Sequence, residues 1–245
     1  GCNAVKYQWV SDPDAMAARR GAAAADGYAD IYRRYLAWPA SLLPALAEHC
    51  RRIGIDFMCT AFLPQDVAAV APYVAHFKVA SFEAGDEALL AAHDSCRDMD
   101  RQWLIVSLGM NALAPRWRRG LKTLLCISAY PAPVETLGLS RLWRHCGPFL
   151  RDEHAPHGFS DHTDPYQIST GAIAVAAGAS IIEAHLRLYE TDPASPDFPH
   201  AMTPGEFADY VRHIKFTEAC LADDTGARTL AEAAMARYRV VSGAI

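Results

Sequence analysis

Short β-prone runs recur along this chain at intervals of roughly 20 residues or more, each followed by a helical or polar stretch, and that alternation restricts the fold to repeated βα units. Seven such runs are present: Ala4 to Trp9, Asp56 to Cys59, His76 to Ala80, Trp103 to Ser107, Thr123 to Ile127, His157 to Phe159, and Ile181 to His185. Between them, Leu42 to Arg52 has helical spacing, with Ser41 placed to cap it, Pro44 tolerated in its first turn and Gly54 just past its end. Val67 to Tyr73, Asp86 to Cys96, Leu139 to His145 and Ile168 to Ala177 are further helices. Pro204 to Leu221 is the last, opened by Thr203 with Glu206 at capping-box spacing. Ser11 to Ala40, rich in Ala, Asp and Arg without clean periodicity, reads as a long loop carrying some helix.

An Ala-rich crossover between two strands implies that they are parallel and that both end on the same side of the sheet. Ser160-Asp161-His162-Thr163 and Ile181-Ile182-Glu183-Ala184-His185 therefore place two imidazoles at the same end of neighbouring strands, where they can share a divalent metal. The expected architecture is an α/β barrel. Seven parallel strands would leave such a barrel open on one side, so a segment upstream of Gly1 is expected to supply a first strand. The stretch from Met110 to Thr123 is short for a crossover helix, which implies one or two turns at most or residues missing from the chain.

A chain of 245 residues, 51% of them apolar, has enough material for one large core, and a single domain over 1–245 is expected. The net charge of -5 and the lack of a Lys/Arg block exclude an electrostatic nucleic-acid footprint and point to small-molecule substrates. No run of about 18 uninterrupted apolar residues spans a bilayer, and Gly1 onward lacks the signature of a signal peptide, so no membrane partner and a cytoplasmic location are expected. Seven scattered cysteines, with no Cys-x-x-Cys pair, read as reduced thiols rather than a disulfide framework.

Several short signatures then share one order and spacing. Ala4-Val5-Lys6-Tyr7-Gln8, Cys59-Thr60-Ala61-Phe62, Phe77-Lys78-Val79-Ala80-Ser81-Phe82-Glu83, Ser107-Leu108-Gly109-Met110, Tyr130-Pro131-Ala132-Pro133, Ser160-Asp161-His162-Thr163 and Glu183-Ala184-His185 together resemble the N-acetylneuraminate (sialic acid) synthase family across nearly the whole chain. The resemblance implies a (β/α)8 barrel that condenses phosphoenolpyruvate with an open-chain N-acyl hexosamine, such as N-acetylmannosamine or a variant acceptor, and releases phosphate. It also implies a divalent metal, Mn2+ foremost with Mg2+, Co2+ or Zn2+ as alternatives, and a homodimer. The antifreeze-like domain that usually follows the barrel has no counterpart before Ile245.

By the same resemblance, Lys6, Thr60, Lys78, Ser81, Ser128, Ser160 and His162 meet phosphoenolpyruvate, with Ser107 also lining the substrate site. Gln8, Tyr130 and Asp197 meet the sugar, Glu83 is the catalytic carboxylate acting with Lys6 and Lys78, and His162 and His185 hold the metal. The physical logic of these positions is independent of the family. Phosphoenolpyruvate is a small polyanion, so cationic and hydroxyl donors must converge on its phosphate and carboxylate. Strand alternation puts Lys6 and Gln8 on one face. It points Asp161 away from His162, so Asp161 is expected to brace the fold rather than bind metal. Taken alone, each strand-end lysine or histidine more often serves the surface or the fold, and the clustering is what shifts that balance.

Several positions depart from the family pattern, with two polar groups near the pocket lost. Leu108 stands for threonine, Leu125-Cys126-Ile127-Ser128 for a more polar run, Ala184 for a lysine, and Phe198 follows Asp197 where histidine is common. An altered acceptor is consistent with these losses. The competing readings are a non-catalytic homologue that binds a sugar phosphate or a partner enzyme, and a metal-dependent aldolase acting on pyruvate.

Overall fold

The computed structural model describes residues 1–20, 27–110, 115–143, 156–222 and 232–233. Seven parallel strands, β1 (Ala4–Trp9), β2 (Asp56–Ala61), β3 (His76–Val79), β4 (Leu104–Leu108), β5 (Leu121–Cys126), β6 (Gly158–Asp161) and β7 (Ile181–Ala184), form one sheet in chain order. Each pairs with the next in parallel register, from Ala4 opposite Asp56 to Asp161 opposite Ala184. Among the described residues the sheet is a curled half-barrel of seven strands. Among the described residues β1 and β7 remain its two edges, flanking a cavity of about 1060 Å³.

The helices are α1 (Pro13–Arg19), α2 (Tyr28–Tyr35), α3 (Leu42–Ile53), α4 (Pro64–Val70), α5 (Glu87–Cys96), α6 (Thr170–Ala176) and α7 (Pro204–Leu221). Capping decides several boundaries. Asp12 accepts from the Ala15 amide and opens α1 inside the stretch expected to be mostly loop. Pro64, at the first position after extended Leu63, starts α4 three residues ahead of the expected Val67. Thr203 and Glu206 form the anticipated capping box of α7. The helix expected over Leu139 to His145 is a 3-10 turn at Leu139–Leu142, and residues 144 and 145 lie outside the described residues. No helix occurs among the described residues between β4 and β5. None of the described helices is long and apolar enough to cross a membrane.

Side-chain alternation sorts each strand between two environments. On the outer face Phe57, Cys59, Phe77, Val79, Leu104 and Val106 pack with Leu43, Val67, Leu89 and Leu90 of the covering helices. Each such buried aromatic or aliphatic side chain contributes about 1.5–3 kcal/mol. On the inner face Met58, Ile105 and Leu124, with Ala4 and Ile181 against them, form an apolar floor. Two residues further along the same strands the inner face turns polar, at Lys6, Thr60, Ser107, Cys126, Ser160 and Glu183. Asp161 points outward, as expected. It accepts from Thr163, from Thr170 and, at 2.8 Å, from Tyr210 of α7, tying that helix to the end of β6.

Candidate active site

The polar layer above the apolar floor is organised around Glu183. Lys6 Nζ lies 3.5 Å from one of its oxygens and Lys78 Nζ 3.5 Å from the other, while Ser160 Oγ donates to it at 2.8 Å. Lys78 is 1% exposed and also donates to Ser107 Oγ at 2.8 Å and the Val79 carbonyl at 3.0 Å. Burial alone would raise the Glu183 pKa, yet the two ammonium groups hold it well below the usual carboxylate range. Burial lowers the Lys78 pKa, and Glu183 opposes that shift. Two cations and one anion thus leave this layer a net positive charge, which suits a polyanionic ligand.

Hydroxyl groups complete the same wall. Thr60 stands in register between Gln8 and Lys78, fully buried, with its Oγ1 unpartnered. Ser81 and Ser128 are 2.8 Å apart, brought together because Gly109 carries no side chain: a Cβ there would sit 2.1 Å from Ser128 Oγ. Cys126 lies beside them, and burial raises its thiol pKa, so the neutral form is a packing group rather than a nucleophile.

Glu83 ends the 3-10 turn Ser81–Glu83 that follows β3. Arg20, at the C-terminus of α1, donates to Glu83 Oε1 at 2.5 Å and to the Tyr32 hydroxyl at 2.9 Å. Glu83 Oε2 is buried without a partner. Burial raises the Glu83 pKa, and Arg20 and Lys78 oppose it. This carboxyl is therefore poised to exchange a proton nearer neutrality than an exposed glutamate does.

Past the ends of β6 and β7 lies a cluster of histidines. His162, 5% exposed, donates from Nδ1 to the Ile127 carbonyl at 2.8 Å, which leaves Nε2 facing inward, 3.4 Å from Ser160 Oγ. Burial and neighbouring His185 push its pKa down to about 4, so the ring is neutral near pH 7. The His162 and His185 rings are 5.2 Å apart.

Two further groups join them. The chain after β7 returns on itself through a Leu186–Met202 bridge, with the Met202 amide donating to the His185 carbonyl at 2.8 Å. That return sets Asp197 Oδ2 3.1 Å from His185 Nδ1 and the His200 ring 4.5 Å from that of His185. One ligand atom from each of His185, Asp197 and His200 falls within 4.8 Å of the other two, a nitrogen and oxygen donor set that fits a divalent transition metal.

Of the residues expected from the sequence, Lys6, Lys78, Ser107 and Ser160 meet around Glu183, and Ser81 meets Ser128. Gln8 and Asp197 line the cavity with Lys6, Lys78 and His185. Tyr130, half-exposed, packs its ring 4.7 Å from that of His162 and 4.9 Å from that of His200. Sequence reasoning missed Arg20, the bridging position of Glu183 and the approach of His200. Parity along β7 carried the signal for Glu183, which faces inward with Ile181.

The chain matches the NeuB family over residues 1–226. It is 30% identical over 190 residues to the uncharacterized protein MJ1065 of Methanocaldococcus jannaschii, covering 72% of this chain and 52% of that protein. It is 33% identical over 102 residues to human N-acetylneuraminate-9-phosphate synthase, covering 42% of this chain and 27% of the human protein. The chain thus spans about half the length of the first relative and about a quarter of the second. In fold it is similar to the N-acetylneuraminic acid (sialic acid) synthetase from Leptospira borgpetersenii serovar Hardjo-bovis, with a TM-score of 0.70 at 20% identity over 98% of this chain and 83% of that one. A truncated 3-deoxy-D-arabino-heptulosonate 7-phosphate synthase from Thermotoga maritima gives 0.61 at 15% identity over 90% and 89%. With its matching length, its ordered signatures and its polar layer over a curled parallel sheet, the chain belongs to the NeuB family.

Proposed function

We propose that this chain is a phosphoenolpyruvate-condensing synthase that joins the three-carbon enol phosphate to an open-chain aldose and releases phosphate and a 2-keto sugar acid. The observation that carries the reading is the pair of ammonium groups, Lys6 and Lys78, facing one inner layer with Thr60, Ser107 and Ser160. A phosphate and a carboxylate on one small ligand match that arrangement. Ser81 and Ser128 extend it toward Tyr130, which with Gln8 and Asp197 is assigned to the sugar.

Lys6 and Lys78 bind the enol phosphate and fix its plane, holding C3 toward the acceptor. Glu183, their counter-ion in the free site, yields one or both ion pairs to the ligand. His162 and His185 would hold a divalent ion, which when bound would supply Lewis-acid polarisation of a carbonyl oxygen. The C3–C1 bond forms, the carbonyl oxygen takes up a proton to become a hydroxyl, and water adds at C2. Glu83 accepts the proton that this water loses and passes it to the new C1 alkoxide, and the C2–O bond to phosphate then breaks as the C2 hydroxyl proton leaves with the departing phosphate, so that the ketone remains. N-acetylmannosamine or a relative of it is the acceptor assigned to this site.

Incubation with phosphoenolpyruvate, Mn2+ and a panel of N-acyl hexosamines and other aldoses tests the reading. Phosphate release that requires an aldehyde supports it. Binding of phosphoenolpyruvate with no release for any aldehyde would favour a non-catalytic homologue instead.

A further inference from the structure

His200 is 2% exposed, yet neither of its ring nitrogens has a hydrogen-bond partner. Burying an imidazole with both nitrogens unpaired is costly unless something else satisfies them. Asp197 Oδ1 lies 3.8 Å from His200 Nε2, too distant for a hydrogen bond. Three aromatic rings surround it: Tyr130 at 4.9 Å, His185 at 4.5 Å and His162 at 5.7 Å between centroids. A buried imidazole of this kind, facing another imidazole and a carboxylate, has the surroundings of a metal ligand.

We propose that His200 and Asp197 join His185 as direct ligands of the divalent cation, so that the centre extends beyond the pair of imidazoles from β6 and β7. The inference rests on the reading that this mouth holds a metal, and it concerns which side chains hold it. Ligand atoms about 2.1 Å from a common ion lie no more than about 4.2 Å apart, so the three atoms now within 4.8 Å of one another need close only slightly. Asp197 Oδ2 stands 3.1 Å from His185 Nδ1, so these two ligand atoms already lie side by side. The hydrogen bonds from the Met202 amide to the His185 carbonyl and from the Ala201 amide to the Asp197 carbonyl hold the loop that carries all three.

Two nitrogens and one carboxylate oxygen rank Co2+ and Zn2+ above Mn2+, because imidazole donors follow the order of increasing affinity toward the end of the first transition row. The test is Co2+ titration of the metal-stripped full chain, followed by X-ray absorption of the Co2+-loaded protein to count coordinated imidazoles. His200→Leu is expected to bind Co2+ about tenfold or more weakly and to lose one imidazole from the count. His200→Gln, which keeps a polar side chain of similar reach, gives the same reading if the leucine variant fails to fold, and near-ultraviolet circular dichroism of the stripped proteins reports the fold. An unchanged affinity and imidazole count in both His200 variants, with loss in His185→Ala, would overturn this proposal and leave the two-imidazole metal site standing. A wild-type chain that binds no Co2+ would overturn both.

Discussion

Lys78 and Glu183 form an ion pair at 3.5 Å in the interior of the half-barrel, and the same carboxylate faces Lys6 at an equal distance. One anion therefore holds two cations ready for a ligand of opposite sign. Glu183→Gln removes the counter-charge and leaves the Lys78 ammonium buried, a loss expected to cost about 3–5 kcal/mol. Chemical denaturation should record that drop, and saturating phosphate should raise the midpoint of the variant more than that of the wild type. An unchanged midpoint would show that the lysines do not depend on Glu183.

Glu83 is assigned the proton from the attacking water. Glu83→Gln should lower kcat by about 10²–10⁴-fold while leaving phosphoenolpyruvate affinity within about threefold, because the lysines make the anion contacts. Isothermal titration alongside steady-state rates separates the two quantities. Near-normal turnover would remove the carboxylate from the chemistry.

Arg20 sets where that carboxylate titrates. Burial raises the Glu83 pKa and the guanidinium 2.5 Å away lowers it, so Arg20→Met leaves burial less opposed. Glu83 then takes up its proton at higher pH, and the acid limb of kcat/KM should move upward in pH. A limb that stays in place, or moves down, would contradict the pairing.

Gly109 permits the contact between Ser81 and Ser128. A methyl group there would meet Ser128 Oγ at 2.1 Å and both Cys126 Sγ and the Ser81 Cβ at 3.0 Å. Gly109→Ala should destabilise by about 1–3 kcal/mol and weaken phosphoenolpyruvate binding together with it. Gly85→Ala, where a Cβ meets nothing within 4 Å, is the control, expected within about 0.5 kcal/mol of wild type. Equal effects in the two variants would mean that the close approach at Gly109 has no consequence.

Seven strands were legible because each is short, apolar on its outer face and bounded by polar or helical sequence. Lys6 and Gln8 fell on one face for the same reason: alternation of side chains needs no tertiary information. Strand ends were less so, as β2 runs to Ala61 and β6 to Asp161, past the expected Cys59 and Phe159. Arg20 was hidden because α1 is seven residues long and depends on the Asp12 cap rather than on a periodic apolar stripe. His200 was hidden for a different reason. It lies on an irregular return loop, where neither a period of two nor one of 3.6 fixes direction, and its approach to His185 depends on long-range backbone hydrogen bonds. Sheet closure likewise depends on whether β1 and β7 meet, which no local pattern encodes.

In the proposed reaction the two lysines and the histidine cluster serve one ligand. A crystal structure of the chain with phosphoenolpyruvate and Mn2+ tests this most directly. The predicted result places the phosphate and carboxylate within hydrogen-bonding distance of Lys6 and Lys78, with at least one ammonium released from Glu183 and the anomalous metal peak beside His185. Phosphoenolpyruvate bound elsewhere, with both lysines still paired to Glu183 at saturation, would contradict it.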